Sequence, residues 1–150
     1  MKVAASVIIE RPVEAVWEYI ADPANNPEWD PGTIEVRQTS PGPIGVGTTL
    51  IAVVDMLGRR ELGVRIITFE PKRELQFVFV SGVIAGSKTR YALQSLDGGR
   101  TRLTREADAH LNGWWRLLTP LASWLAARSR ADEVSNVKRI LEVGHHGARA

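Results

Sequence analysis

The sequence predicts an α+β fold with a seven-stranded antiparallel sheet, two short helices after the first strand and a long C-terminal helix. Three observations support this prediction. Apolar and polar residues alternate in short runs between residues 33 and 110, as in strands that bury one face. A helical spacing of apolar residues precedes these runs, and a second one follows them from residue 114 onward. Strands grouped apart from helices in this way are typical of α+β domains.

The first strand is expected to end near Ile9, with a helix directly after it. Pro12 is expected at the first helical position, because its missing N–H would be unpaired there and its φ already suits a helix. One helix face is formed at spacing i, i+3, i+4, i+7 by Val13, Val16, Trp17 and Ile20. Asp22-Pro23 is expected to end this helix, and residues 26–31 (NPEWDP) to form a second short turn before the next strand.

Six further strands are predicted at short spacing. A break at Gly58 predicts a hairpin between the second and third of them, and Asp97-Gly98-Gly99 predicts a tight turn between the last two. Residues 40–47 are rich in proline and glycine and are expected to form a loop. The expected strands are Thr33–Thr39, Thr48–Leu57, Arg59–Phe69, Glu74–Ser81, Ser87–Leu96 and Arg100–His110.

The last third of the chain is predicted to be helical. The helix is expected to begin at Asn112-Gly113, to kink or restart at Thr119-Pro120 and to end at Gly144. The apolar side changes along the helix, from Leu117, Leu118, Leu121 and Leu125 to Val134, Val137 and Leu141. We expect one domain over residues 1–144 and a disordered tail over residues 145–150.

Composition and charge argue against several classes of function. The chain has 150 residues, 44% of them hydrophobic, and a formal net charge of only +2 with both signs interspersed, so no nucleic-acid partner is expected. It has no cysteine, which excludes disulfides and thiolate ligands. Neither a signal peptide nor a membrane span is expected, and a cytoplasmic location is the default. Adjacent His145 and His146 lack a third ligand nearby, so no metal and no cofactor are expected.

Two stretches carry a family resemblance. Residues 9–31 (IERPVEAVWEYIADPANNPEWDP) join a strand end, a proline-started helix with Val16-Trp17 and a tryptophan-bearing turn. Later motifs follow in order: Tyr91-Ala92-Leu93, residues 99–104 (GRTRLT), Gly113, Pro120 and residues 137–142 (VKRILE). Together they resemble the SRPBCC (START-like, helix-grip) superfamily in its polyketide cyclase/dehydrase branch. The chain departs from that pattern at Val137, where leucine is usual, and at Arg100.

The resemblance implies a helix-grip architecture, in which a curved antiparallel sheet wraps around the C-terminal helix. Such a sheet leaves an apolar cavity between itself and the helix. A cavity of this kind suits a hydrophobic small molecule, since buried apolar area contributes about 25 cal/mol per Å² without specific chemistry. A few polar groups then fix the orientation of the ligand. The implied ligand is a lipid, an isoprenoid or a polyketide-like aromatic molecule.

Candidate ligand-binding residues lie on strand faces expected to point inward, in the turn after the first helices and on the C-terminal helix. They are Trp29, Leu75, Phe77, Phe79, Tyr91, Leu93, Leu103, Arg105, Trp114, Leu118 and Leu121. Each apolar or aromatic member could equally be ordinary core. Trp29 could simply pack over the sheet edge, and Trp114 could close the cavity, contact a second copy or lie on a membrane surface.

Three polar residues are candidates for chemistry, namely Arg105, Tyr91 and Asp55. Alternation on the last strand places Arg105 among inward apolar residues, where a guanidinium needs a carboxylate or a ligand oxygen. Asp55 or Glu61 is the expected carboxylate, and the alternatives are a ligand oxygen or an outward register that leaves Arg105 in solvent. Tyr91 could donate a hydroxyl proton. An inward Asp55 could act as an acid or base, but the opposite face of its strand is at least as apolar, which favours an outward side chain.

Three functions follow as alternatives. The first is binding of a hydrophobic small molecule by a monomer or homodimer. The second is an enzyme of the cyclase/aromatase type, which would position a polyketide-like chain while Arg105 and Tyr91 polarise its carbonyls. The third is a protein-partner module with a vestigial cavity. Convergence of the polar candidates in one cavity would favour the enzyme. A mostly apolar cavity with one polar group would favour ligand binding without catalysis. A cavity filled by side chains would favour the partner module.

Overall fold

The computed structural model describes residues 2–110, 117 and 133–143, and it contains the seven strands that the sequence predicts. In chain order the first elements are β1 (Lys2–Ile9), α1 (Val13–Ile20), a 3-10 turn (Pro23–Asn25), α2 (Asn26–Trp29) and β2 (Thr33–Gln38). The others are β3 (Thr49–Asp55), β4 (Arg59–Glu70), β5 (Glu74–Phe79), β6 (Lys88–Leu96) and β7 (Arg100–Asp108). Residues 133–143 form a helix, α3. The predicted α+β class with a helix-grip sheet is confirmed.

The strands form one antiparallel sheet in the order β1-β7-β6-β5-β4-β3-β2. The first strand pairs with the last, and β2 to β7 follow one another as a meander. Register shifts occur between Thr33 and Glu35 on β2 and between Ile66 and Thr68 on β4. Bulges of this kind bend a strand and increase its twist, so they contribute to the curvature of the sheet.

Both predicted hairpin turns are present. Gly98 and Gly99 between β6 and β7 have positive φ values of 78° and 70°, a backbone that glycine adopts without strain and that a Cβ disfavours. Leu57 and Gly58 turn the chain between β3 and β4. These turns align β6 with β7 and β3 with β4, which fixes the inward face of each strand.

Helix α1 begins one residue later than predicted. Pro12 has a φ of −67° but an extended ψ of 155°, so it stands at the N-cap, and the helix starts at Val13. The proline ring fixes φ alone, which suits both positions, and ψ separates them. The buried side of α1 is formed by Val16, Trp17 and Ile20, and the helix contacts β6 and β7.

Helix α3 packs its apolar side into the main hydrophobic core. Val134, Val137 and Leu141 belong to the main hydrophobic core. Among the described residues, no helix is long and apolar enough to cross a membrane. The predicted start, restart and end of the C-terminal helix (Asn112-Gly113, Thr119-Pro120 and Gly144) lie outside the described residues, and so does the tail at 145–150.

Hydrogen bonds fix α3 to the N-terminal part of the chain. Lys138 Nζ donates to the carbonyl oxygen of Ile8 at 2.8 Å. Asn136 Nδ2 donates to the carbonyl oxygen of Trp29 at 3.1 Å. These bonds hold α3 beside both β1 and α2, so side chains on its inner face have a defined position over the sheet.

Candidate functional site

A cavity of about 300 Å³ lies against the inner face of the sheet. This volume is at the lower end of the range of about 300–1,000 Å³ that is usual for ligand pockets. Its main wall consists of alternate apolar residues on three neighbouring strands: Leu50, Ala52 and Val54 on β3, Leu62, Val64 and Ile66 on β4, and Leu75, Phe77 and Phe79 on β5. The wall therefore arises from the period-two alternation of the strands.

Aromatic rings extend this wall towards α2. The ring centroids of Phe79 and Phe77 are 5.6 Å apart, and those of Phe77 and Tyr91 are 6.2 Å apart. Trp29, at the end of α2, meets Tyr91 edge-on at 5.6 Å. Aromatic pairs at these separations attract beyond the effect of buried area, so each ring restrains the next.

The polar end of the cavity is formed by Tyr91 on β6, Arg105 on β7 and Glu133 on α3. Tyr91 and Arg105 are directly paired in register, and Arg105 Nε donates to Tyr91 Oη at 2.9 Å. Arg105 Nε also lies 2.8 Å from Glu133 Oε2. The side chains of Arg105 and Glu133 are only 10% and 5% exposed, so this is a buried ion pair. The sheet supplies the cation, and the helix supplies its countercharge.

Burial controls the ionisation of this cluster. Burial raises the pKa of Tyr91 well above its ordinary value, and the opposing effect of Arg105 is smaller. Burial also acts against the charged form of Arg105, but Tyr91 and Glu133 outweigh it and the pKa of the guanidinium is raised. Tyr91 is thus a neutral phenol beside a charged arginine. Because its oxygen accepts from Arg105, its own proton is available to a further acceptor.

Two buried N–H groups at this end have no hydrogen-bond partner in the part of the chain that the structure describes. They are Trp29 Nε1 and Arg105 Nη1. Trp29 is 1% exposed and Arg105 9%. A buried donor without a partner costs about 1–3 kcal/mol. Since both residues line the cavity, an oxygen atom placed there could accept from them.

Two further carboxylates touch the cavity. Asp30, directly after α2, accepts from the backbone N–H of Gly32 at 3.1 Å and from Thr33 Oγ1 at 2.7 Å. Asp55 ends β3 and is exposed, so it lies at the rim, in agreement with the outward interpretation. With Glu133, the described wall carries three carboxylates and one guanidinium.

The structure brings most of the predicted ligand-binding residues together. Trp29, Leu75, Phe77, Phe79, Tyr91 and Arg105 line the cavity. Leu93 and Leu103 lie in the hydrophobic core and are not among the lining residues. They form the next inward pair along the β6–β7 ladder after Tyr91 and Arg105, on strands that α1 contacts. Trp114, Leu118 and Leu121 lie outside the described residues. Ligand contact by any of these residues stays a prediction.

The predicted ion-pair partner of Arg105 is wrong. Arg105 does face inward, but its partner is Glu133 rather than Asp55 or Glu61. Glu61 instead lies 3.7 Å from Arg37 in an exposed ion pair. Glu133 was missed because it follows the polar stretch 128–132. Its spacing of four from Val137 was the available signal, because residues i, i+4 and i+8 share one side of a helix.

Metal-binding chemistry has no support in the described residues, which contain no cluster of three histidine, aspartate or glutamate side chains suited to an ion. His110 is exposed two residues after the end of β7, and His145 and His146 lie outside the described residues.

Comparison with known proteins gives a family and a set of similar folds. Residues 1–142 match the family model described as polyketide cyclase/dehydrase and lipid transport. The chain is similar to a START superfamily protein from Mycobacterium smegmatis, with a TM-score of 0.81 at 14% identity over 94% of this chain and 97% of that one. It is similar to the Zhui aromatase/cyclase from Streptomyces sp. R1128, with a TM-score of 0.73 at 17% identity over 94% and 95%.

A third similar structure is that of TTHA0849 from Thermus thermophilus, with a TM-score of 0.77 at 14% identity over 96% of this chain and 99% of that one. No protein with a curated description matches the chain significantly. At these identities the structural matches show a shared fold alone.

Proposed function

The chain belongs to the polyketide cyclase/dehydrase and lipid transport family, and we propose that it binds a hydrophobic small molecule in the cavity. One observation carries the proposal. The cavity of about 300 Å³ is walled by apolar residues on β3, β4 and β5, and its buried polar groups gather at the end formed by Tyr91, Arg105 and Glu133. Apolar walls provide affinity, and a few polar groups provide orientation. A lipid, an isoprenoid or a polyketide-like aromatic molecule of matching size is the expected ligand class.

The cavity supports ligand binding over the partner-module alternative, which requires an interior filled by side chains. Ala52 is the smallest residue of the β3 wall, and it is buried with its side chain towards the cavity. A larger side chain there would occupy ligand space. Ile51, the preceding residue, points to the opposite face of the sheet and provides a matched control.

The test uses N-phenylnaphthylamine, a dye whose fluorescence rises in apolar surroundings. The wild-type protein should bind it at one saturable site. Ala52→Phe should weaken binding at least tenfold, which is about 1.4 kcal/mol, whereas Ile51→Phe should leave it unchanged. Thermal melts of both variants control for loss of the fold. Absence of dye binding, or equal binding by the two variants, would contradict the proposal.

A cyclase-type enzyme is the second candidate, and the hydrogen bond between Arg105 and Tyr91 favours it. The two groups could polarise one carbonyl while the apolar wall folds the rest of a polyketide-like chain for ring closure. A suitable probe is heptane-2,6-dione, which closes to methylcyclohexenone with formation of one C–C bond and release of one water.

The enzyme candidate predicts that the protein accelerates this closure and that Tyr91→Phe removes the acceleration. Tyr19→Phe is the control, because the Tyr19 hydroxyl donates to Glu28 at 2.8 Å and does not line the cavity. Equal rates with and without protein, or equal effects of the two variants, would exclude this chemistry for the probe.

A further inference from the structure

We propose that Glu133 selects the charge of the ligand, so that the site takes a neutral molecule with an acceptor oxygen and rejects a carboxylate. A ketone, an ester or an amide has such an oxygen. The inference rests on the proposed binding function and adds the polar group of the ligand and the residue that selects it.

The first step concerns hydrogen bonding. Three donors at the polar end are unused among the described residues: Trp29 Nε1–H, Arg105 Nη1–H and the hydroxyl proton of Tyr91. A hydrocarbon would leave these donors unpaired in a buried place. A ligand oxygen with two lone pairs could accept from two of these three donors.

The second step concerns charge. A buried arginine by itself would attract a ligand carboxylate. Here Glu133 Oε2 already lies 2.8 Å from Arg105 Nε, and both side chains are shielded from solvent. A second carboxylate at Arg105 would therefore bury a negative charge without a countercharge, and Asp30 on the same wall would repel it as well. A neutral carbonyl oxygen avoids both costs.

The third step concerns the position of Glu133. It lies on α3, which is held by the hydrogen bond from Asn136 to the Trp29 carbonyl and by that from Lys138 to the Ile8 carbonyl. The helix therefore cannot shift to free Arg105 without breaking these bonds. Glu133 acts as a fixed internal anion. It neutralises the positive charge of Arg105 but leaves Arg105 Nη1 without a hydrogen-bond partner in the described part of the chain.

The first experiment compares three ligands of nearly equal shape by isothermal titration calorimetry: methyl naphthyl ketone, naphthoate and ethylnaphthalene. We expect the ketone to bind the wild-type protein at least about tenfold more tightly than either of the others. If ethylnaphthalene binds as tightly as the ketone, or naphthoate more tightly, cavity binding stands and this inference fails. If none of the three binds, the proposed function fails as well.

The second experiment removes the internal anion. Glu133→Gln keeps the shape of the side chain and should raise the affinity for naphthoate, relative to the ketone, at least about tenfold. Glu142→Gln is the matched control, because Glu142 lies on the same helix, pairs with Lys138 at 2.7 Å and does not line the cavity. The ratio of two affinities measured on one sample is independent of the folded fraction. An unchanged ratio in Glu133→Gln, or an equal change in Glu142→Gln, would overturn the proposal.

Discussion

The β6–β7 ladder carries Arg90 on its outer face and Arg105 on its inner face, and these two arginines have different surroundings. On the outer face Arg90 contacts Glu74 at 2.9 Å and Glu106 at 3.2 Å, and we call these three residues the outer cluster. On the inner face Tyr91, Arg105 and Glu133 form the inner cluster. The side chain of Arg90 is 36% exposed and that of Arg105 is 10% exposed. The positive charge of Arg90 is thus partly exposed to water, whereas that of Arg105, at the next pair along the same ladder, lies in an apolar interior.

The difference lies in how completely each arginine is hydrogen-bonded. Arg90 uses both terminal nitrogens, since Nη1 donates to Glu106 and Nη2 to Glu74, and the hydrogen bond with Glu74 raises the pKa of Arg90. Arg105 uses Nε, but its buried Nη1 has no partner among the described residues. Exposed ion pairs contribute little to stability, whereas an incomplete buried cluster is costly. The incomplete hydrogen bonding of the inner cluster therefore supports the proposal that it binds a ligand.

Removing one carboxylate from each cluster should give the largest contrast. Glu133→Ala leaves the Arg105 charge buried and should lower the free energy of unfolding by about 3–5 kcal/mol. Glu106→Ala should lower it by less than about 1 kcal/mol, since water can solvate Arg90. Urea denaturation of both variants measures this difference. Losses of similar size would mean that the inner pair is solvated.

Replacing the whole inner pair should restore stability without restoring selectivity. In Arg105→Met combined with Glu133→Leu, no buried charge remains, so most of the loss caused by Glu133→Ala should be recovered, to within about 2 kcal/mol of the wild type. The double variant should also bind methyl naphthyl ketone no more tightly than ethylnaphthalene. Urea denaturation and calorimetry check the two parts. A double variant as unstable as the single one would show that the ion pair itself holds α3 on the sheet.

Alkaline pH should weaken the fold through Tyr91. Because burial raises the pKa of this phenol, both folded and unfolded states keep the proton below pH of about 10. Above that pH only the unfolded state ionises, so stability should fall by up to about 1.4 kcal/mol per pH unit. The free energy of unfolding of Tyr91→Phe, measured by urea denaturation, should fall less steeply than that of the wild type between about pH 9 and 11. Burial also raises the pKa of Tyr19, which contributes to the slope of both proteins. Equal slopes would indicate a solvated Tyr91.

The smallest expected difference between the two clusters is in how salt changes the stability cost of a substitution. Arg90→Ala should cost less than about 1 kcal/mol, and this cost should shrink further in about 1 M NaCl, where the Debye length is about 3 Å. The cost of Glu133→Ala should change little, because the inner pair is shielded. Urea denaturation at low and high salt measures both. An inner cluster as sensitive to salt as the outer one would contradict its burial.

The fold could be predicted from the sequence because its signals are local. Alternation identified the strands, Gly58 and Gly98-Gly99 marked the hairpins, and the same alternation placed Arg105 inward. Pro12 shows the limit of a local rule, since its fixed φ suits both the N-cap and the first helical position.

The composition of the site could be predicted only in part, because it depends on contacts between distant segments. Alternation shows which face a residue occupies but not its position along the cavity, so it did not separate Leu93 from Tyr91. The pairing of Arg105 with Glu133 depends on how α3 lies over the sheet, which the helix pattern alone does not define. The absence of a hydrogen-bond partner for Trp29 Nε1 among the described residues could not be predicted either, because it depends on all the groups that pack around α2.

The most direct test of a ligand-facing inner cluster is the indole N–H signal of Trp29 in a ¹H–¹⁵N correlation spectrum. The signal is identified by its loss in Trp29→Phe. The account predicts that methyl naphthyl ketone moves this signal downfield, as expected when the N–H donates to an oxygen, and that ethylnaphthalene does not. A Trp29 signal that stays in place while the ketone saturates the protein would contradict the account.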